Sequence, residues 1–297
     1  MKNNDPVKVQ ELAHEREEWT SERRKFLKGA GVTGVGLLSA TILGSRLGLT
    51  DDIPGAKALG LNLPSVAAAS LTDADILNFA LNLEYLEAEF YTMAVSGKTI
   101  EQVGIGVSGT GSYGPTTGGQ KITFGGPLAA ELQMSAQGLM LTEQYHVRFL
   151  RAALGSAAVA KPEINLDALG KISNYNLFIA AARALEQTGE SAYAGAAPSI
   201  SNKAYLLAAA KILIVEAEHT GNIRLFCDVY KVPTMKIDAL DILPPPSGTH
   251  IYTNDSQGLA VSRTPSQVLA IVYGNSTSGT SRGGFFPKGL NGAINVV

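Results

Sequence analysis

Four stretches of this chain repeat their apolar residues three and four positions apart, and in each the apolar row is interrupted by ionisable side chains. The rows read Leu77, Ala80, Glu84, Glu87, Tyr91; then Ala136, Leu139, Glu143, His146, Leu150; then Ile179, Ala182, Glu186, Gly189, Tyr193; and last Ile212, Glu216, His219, Ile223, Phe226. Residues at these spacings share one helix face, so the acids and histidines point with the apolar side chains into a core. Start and stop signals bound the segments. Thr72 or Asp73 caps a helix running to about 95, and Gly97 stops it; Pro127 opens a second that ends before Gly155. A third covers about 173–194, and beyond Pro198 a fourth covers about 202–230.

The connections are as informative as the helices. Residues 97–126 are rich in Gly, Ser and Thr, with Lys121-Ile122-Thr123-Phe124 reading as a short strand inside them. The run from Gly104 to Gly111 lacks the Gly-Lys-Ser/Thr ending of a phosphate loop. Residues 156–171, extended at about 3.3 Å each, cover some 50 Å. That exceeds the roughly 30 Å of a twenty-residue helix, so this segment can run the length of a bundle. The expected fold is all-α: a four-helix bundle over 70–232 with a long crossover between the second and third helices. An irregular Pro/Gly-rich extension, 233–297, follows and packs on the bundle or on a partner; within it 265–273 reads as a short helix or strand.

Ionised groups are very costly to bury unless they are paired or bound to metal. In chain order the four rows contribute Glu84, Glu143 with His146, Glu186, and Glu216 with His219. Bundles with di-iron or di-manganese carboxylate centres use this set: one Glu from each of two helices and Glu-x-x-His from each of the other two. Four carboxylates also match the charge of two divalent cations. A single Glu-x-x-His is common and usually solvated; two of them with two lone acids, all in core register, form a far more specific pattern. A metal-free bundle with these groups kept as salt bridges lacks cations, because Arg183 and Arg224 fall outside the ligand row by helical spacing.

Composition narrows the rest. At 297 residues, 45% hydrophobic and 17% charged, the chain can bury a sizeable core. A net charge of −2 and the absence of a basic cluster with aromatics speak against nucleic acid. The single cysteine, Cys227, excludes an intramolecular disulfide and reads as a buried thiol. Glu22-Arg23-Arg24-Lys25-Phe26-Leu27-Lys28 resembles a twin-arginine export signal, and the uncharged Gly-rich stretch 29–45 suits a signal rather than a spanning helix. Residues 1–69 are therefore expected to be signal and leader, cleaved near Ala69, and the protein is expected in the periplasm or at the cell surface. It would contact the membrane only if that signal stays uncleaved.

The strings 77–91, Glu143-Gln144-Tyr145-His146, 184–198 and Glu216-Ala217-Glu218-His219, together with Gly283-Gly284-Phe285-Phe286-Pro287-Lys288-Gly289 in the tail, resemble the ferritin-like superfamily. Within it the chain is similar to an exported bacterial group related to plant desiccation-related proteins. The resemblance implies two iron or manganese ions, with Glu84 and His146 on one, Glu186 and His219 on the other, and Glu143 and Glu216 bridging. The loop between the first two helices is much longer than in storage ferritins, which argues against their 24-subunit cage; a smaller homo-oligomer is compatible. An acidic residue often precedes the second- and fourth-helix glutamates in such bundles, but Thr142 and Val215 stand there, so the histidines need other support. Glu87 and Glu190, one turn from Glu84 and Glu186, are open to a part as additional ligands but read rather as supporting or solvent-facing acids, and Glu218 as outward-facing.

Two functions follow from this. One is a redox centre acting on oxygen or peroxide in stress protection, reached through space left by Ala80, Ala136, Ala182 and Gly189. The other is a non-catalytic envelope protein whose metals hold the bundle together.

Overall fold

The computed structural model describes residues 71–297, so the export pattern and leader fall outside the described residues. Four long helices dominate: α1 (Asp73–Ser96), α2 (Ala129–Leu154), α3 (Tyr175–Ala196) and α4 (Lys203–Val229). Each lies within two residues of the bounds read from the sequence, and the local chemistry shows why. Thr72 and Asp75 form a reciprocal capping box at the start of α1, and Gly97, at φ 73°, closes it in the left-handed region. Asn174 and Asn202 cap α3 and α4 by accepting from the first free backbone N–H groups.

Helix directions follow from cross-helix contacts. Arg151 reaches Tyr85 and Gln144 reaches Thr92, so α1 and α2 are antiparallel. Tyr193 reaches Glu84 while Phe178 stacks on Phe90 at 5.4 Å, so α1 and α3 are antiparallel too. Helices α2 and α3 must then run parallel, and the chain between them has to return along the bundle. Residues 158–166 make that return while pairing with the Gly-rich loop: β1 (Thr116–Thr117) lies parallel to β2 (Ile164–Asn165), and Thr110 bridges Val159. The strand expected at 121–124 is therefore misplaced. Those residues have no strand pairing; Ile122 instead buries its side chain and donates to Ala94 O at 2.7 Å.

The loop's glycines have a packing reason. A Cβ on Gly109 or Gly114 would collide with the backbone of 158–160 or of Glu163, so the two connections lie backbone against backbone. Below them Lys161, 1% exposed, donates to Gly114 O and Thr116 Oγ1 and lies 3.5 Å from buried Glu89, which in turn accepts from Ile100 N.

The extension folds back over the bundle, and its short element is a helix, α5 (Pro265–Tyr273), with a capping box from Thr264 and Gln267. Phe285 and Phe286 are buried, Asn291 bonds both Asn82 and Ser112, and Arg263, buried, pairs with Asp238 and Ser191. This cover makes the helices unequal. Helix α1 buries 17 of its 24 residues and α3 buries 14 of 22. Only 7 of 26 are buried in α2 and 9 of 27 in α4.

Candidate metal centre

The six acids and histidines singled out from the sequence converge at the middle of the bundle. Glu84, Glu143, Glu186 and Glu216 are all 0% exposed. His146 Nδ1 lies 3.1 Å from Glu84 Oε2, 3.0 Å from Glu143 Oε2 and 3.3 Å from Glu216 Oε1. His219 Nδ1 lies 3.0 Å from Glu143 Oε1 and 3.1 Å from Glu186 Oε2. Two overlapping ligand sets result, Glu84/Glu143/His146/Glu216 and Glu143/Glu186/Glu216/His219, and within each the donor atoms lie within 4.8 Å of one another. Glu143 and Glu216 belong to both.

The four helices deliver these groups because Glu and His three apart on α2 and α4 stack on one face, while α1 and α3 present single acids from the opposite wall. Tyr193, seven residues beyond Glu186, donates to Glu84 Oε1 at 2.5 Å, so α3 orients the acid of α1. Tyr91, seven beyond Glu84, is buried with its hydroxyl facing Glu186. The sequence placed both tyrosines in the apolar rows without giving either a part in the site; their Glu-x₆-Tyr spacing was the available signal. Thr142 turns its hydroxyl to Gly138 O and supports neither histidine.

Two expectations need correction. Glu87 and Glu190 are not solvent-facing, at 3% and 5% exposure. Glu190 turns toward the extension and accepts from Thr253, whereas Glu87 faces the centre as a fifth carboxylate. Nor does Gly189 leave room for a channel. A Cβ there would meet Glu216 Oε2 at 2.8 Å and Glu87 Oε1 at 2.9 Å, so its missing side chain is the space those two acids occupy. Ala136 and Ala182 are sealed at 0%; only Ala80 borders open space, an apolar cleft shared with Leu77, Leu83 and Tyr193. Glu218 is exposed as expected.

The electrostatics show a cluster with too many acids for its own cations. Burial pushes Glu84 up to about 7 against the pull of His146. Burial, and then Glu143, pushes Glu216 well above the carboxylate range; burial and then Glu216 do the same to Glu87. Burial also raises Glu186, opposed by His219. Only Glu143 falls below its ordinary value: burial works against ionisation there, but two imidazoles outweigh it. Burial opposes protonation of the histidines as well, yet Glu84 holds His146 well above its usual range and Glu186 lifts His219 to about 11. Without a metal, the cluster reaches balance by taking up protons. Even so, Glu186 Oε1 and Glu216 Oε2 have no well-formed hydrogen bond, and Glu143 Oε1 and Glu216 Oε1 have only an imidazole nitrogen beside them, at 3.0 and 3.3 Å, an unusual cost for buried oxygens. Orphaned carboxylate oxygens beside imidazole nitrogens fit divalent cations of intermediate softness. The buried arginines do not serve these oxygens: Arg183 pairs with Asp241 and Arg224 with tail carbonyls.

A family model described as a ferritin-like domain matches residues 72–228, more than half of the chain and all four bundle helices. The chain belongs to the ferritin-like family. Comparison with curated proteins finds no match.

Proposed function

Starting from that membership, we propose that the chain binds two iron or manganese ions and uses them in redox chemistry on oxygen or peroxide. The observation that carries this reading is the sharing of Glu143 and Glu216 between two four-ligand sets, which supports two adjacent ions rather than one. Charge supports it. Two divalent ions offset Glu84, Glu143, Glu186 and Glu216 and let both imidazoles become neutral donors. Bound iron or manganese supplies the electron transfer needed to reduce oxygen or to disproportionate peroxide.

The chain's own groups have separable tasks. Tyr193 fixes the rotamer of Glu84 through its hydroxyl. Glu87, buried beside Glu216, adds a fifth carboxylate next to the bridging acid. The apolar walls exclude bulk water, so among the six only the histidines touch solvent, with side chains 9% and 12% exposed. With the export pattern at 22–28, this reading puts the protein in the periplasm or at the cell surface, handling oxidants there.

A structural metal pair is the second reading, favoured by how completely the four acids are enclosed. Elemental analysis after loading tests the shared premise: about two ions per chain are expected, and well under one would remove both readings. Adding oxygen and then peroxide to ferrous and manganous protein separates them. Oxidant consumption faster than by free metal supports the redox centre; equal rates leave the structural role.

A further inference from the structure

Helices α2 and α4 turn large apolar side chains outward. Met134 is 68% exposed, Leu141 47% and Tyr145 50% on α2; on α4 Leu207 is 59%, Ile214 61% and Leu225 48%. Exposed apolar rows of this kind on neighbouring helices of a folded protein mark an interaction site. Two glycines on the same helices, Gly138 and Gly221, have nothing within 4 Å of the position a Cβ would take, so no contact inside the subunit explains them. A glycine inside a helix costs about 1 kcal/mol relative to alanine and is expected where another backbone approaches closely.

The order of residues along the face identifies the occupant. Ser135 meets Asn222 and the Tyr230 hydroxyl meets Leu128 N, so α2 and α4 are antiparallel, and Glu131 and Leu225 lie toward one end. Lys211, Leu207 and Arg148 lie toward the other. On α2 the pairs Glu131/Arg148, Met134/Tyr145 and Gly138/Leu141 are all centred on one point, between Leu139 and Met140. On α4 Leu207/Leu225 and Ile214/Glu218 are both centred on Glu216, and Lys211 stands opposite Gly221. The two centres are nearly level in the antiparallel pair. Across these centres Glu131 faces Arg148, Met134 faces Tyr145 and Leu207 faces Leu225, while Gly138 and Gly221 face the bulkier Leu141 and Lys211; Ile214 is set against an acid, Glu218.

We propose that this face is the interface between two copies of the chain. A two-fold axis lying in the face and perpendicular to the helices sets α2 antiparallel on the partner's α2 and α4 on its α4. Glu131 then meets Arg148, Met134 meets Tyr145, Leu141 packs over Gly138, and Lys211 crosses Gly221 to reach Glu218. A face about 40 Å long, from 27 residues at 1.5 Å, and about 20 Å wide, from two helices, offers about 800 Å². That is the share each partner contributes to a stable interface. The two ligands that touch solvent, His146 and His219, belong to these helices, so the partner closes the imidazole edge of the centre.

Sedimentation of the full chain over a range of concentrations tests this, and the metal readings above do not affect the outcome. A dimer is expected for the parent. Ile214→Asp puts a charge over the partner's Glu218 and is expected to weaken association more than about a hundredfold while leaving helical circular dichroism unchanged. Glu131→Lys and Arg148→Glu, each creating like-charge contacts twice over, are expected to weaken it about tenfold, and their combination to restore it. A parent that stays monomeric, including one that binds lipid vesicles as a monomer, overturns the proposal. So does a dimer indifferent to these changes, or a charge swap that fails to restore association.

Discussion

Helix α3 carries two buried charge clusters on different faces, and they are closed in different ways. On one face Arg183 and Gln187 join Asp241 and Arg224. Asp241 accepts from Arg183 Nη1 at 2.7 Å, Gln187 Nε2 at 2.7 Å and Ile237 N at 2.8 Å, and Arg224 donates to Ile242, His250, Ile251 and Tyr252 carbonyls. Only Arg183 Nε is left without a partner there. On the other face Glu186 and Gly189 enter a cluster with five acids and two imidazoles, where four carboxylate oxygens lack a well-formed hydrogen bond. The clamp is complete within the chain and fastens the extension; the acid cluster is complete only with protons or with external cations. Burial of charge by itself does not distinguish structure from function. The orphaned oxygens do.

Metal removal should show this contrast most strongly. If two ions bind as proposed, each at about a thousand times its Kd, they would stabilise the fold by about 8 kcal/mol, on the order of 15 °C in Tm or more for a domain of this size. Chelation followed by thermal unfolding measures it. A change of a degree or two would mean that the acid cluster, like the clamp, is closed by the protein alone.

The clamp should respond to substitution instead. Asp241→Ala leaves Arg183 buried without its carboxylate partner and removes a nearby counter-charge from Arg224, a loss of about 3–5 kcal/mol by urea unfolding. The metal content of the protein that still folds should not change. If metal is lost in proportion, the two faces of α3 are coupled and the comparison fails.

Acidity should drive the metal-free and loaded forms in opposite directions. Glu84, raised from 4.5 to about 7, contributes stability that is full below 4.5 and lost as pH rises through 7. His219, raised from 6.5 to about 11, contributes stability full below 6.5 and lost toward 11. Glu87 and Glu216 act in the same sense, while Glu143, which is lowered, matters only at acid pH below its ordinary value. The metal-free form is therefore expected to lose stability between about pH 5.5 and 8.5. The loaded form is expected to gain, because protons compete with metal for His146, His219 and Glu216. Tm at three pH values for both forms checks the crossing; parallel slopes would rule out ligand protonation as the cause.

The acid centre was legible in the sequence because helical period fixes which residues share a face, and the placing of Glu84, Glu143, His146, Glu186, Glu216 and His219 depends on little else. The bundle and its crossover were legible for the same reason, aided by Thr72 and Gly97; the caps from Asn174 and Asn202 were not read. Features that depend on non-local packing were not. The 121–124 strand failed because pairing went to 116–117, where Gly114 admits the crossover backbone. Arg183 and Arg224 did fall off the ligand row as read, but nothing in their period revealed that residues 235–252 would bury them. Glu87 was underrated because one residue, Gly189 on another helix, makes its space.

The smallest expected effect is the most discriminating. Glu216 has no well-formed hydrogen bond on either oxygen, only His146 Nδ1 at 3.3 Å from Oε1, and burial favours its neutral form in the metal-free cluster, so a glutamine there copies its protonated shape and charge. In the metal-free form Glu216→Gln should unfold within about 0.5 kcal/mol of the parent, or at slightly higher denaturant, because it removes an acid that is costly to ionise. The stability that the parent loses toward alkaline pH should shrink with it. Metal content should nonetheless fall by at least one ion per chain, since Glu216 belongs to both ligand sets. The corresponding Asp241→Asn substitution in the clamp should be destabilising by contrast, as that carboxylate is the ionised partner of Arg183. Should Glu216→Gln destabilise the metal-free form as much as Asp241→Asn does, Glu216 would be a structural ion-pair member, and the two clusters on α3 would be alike.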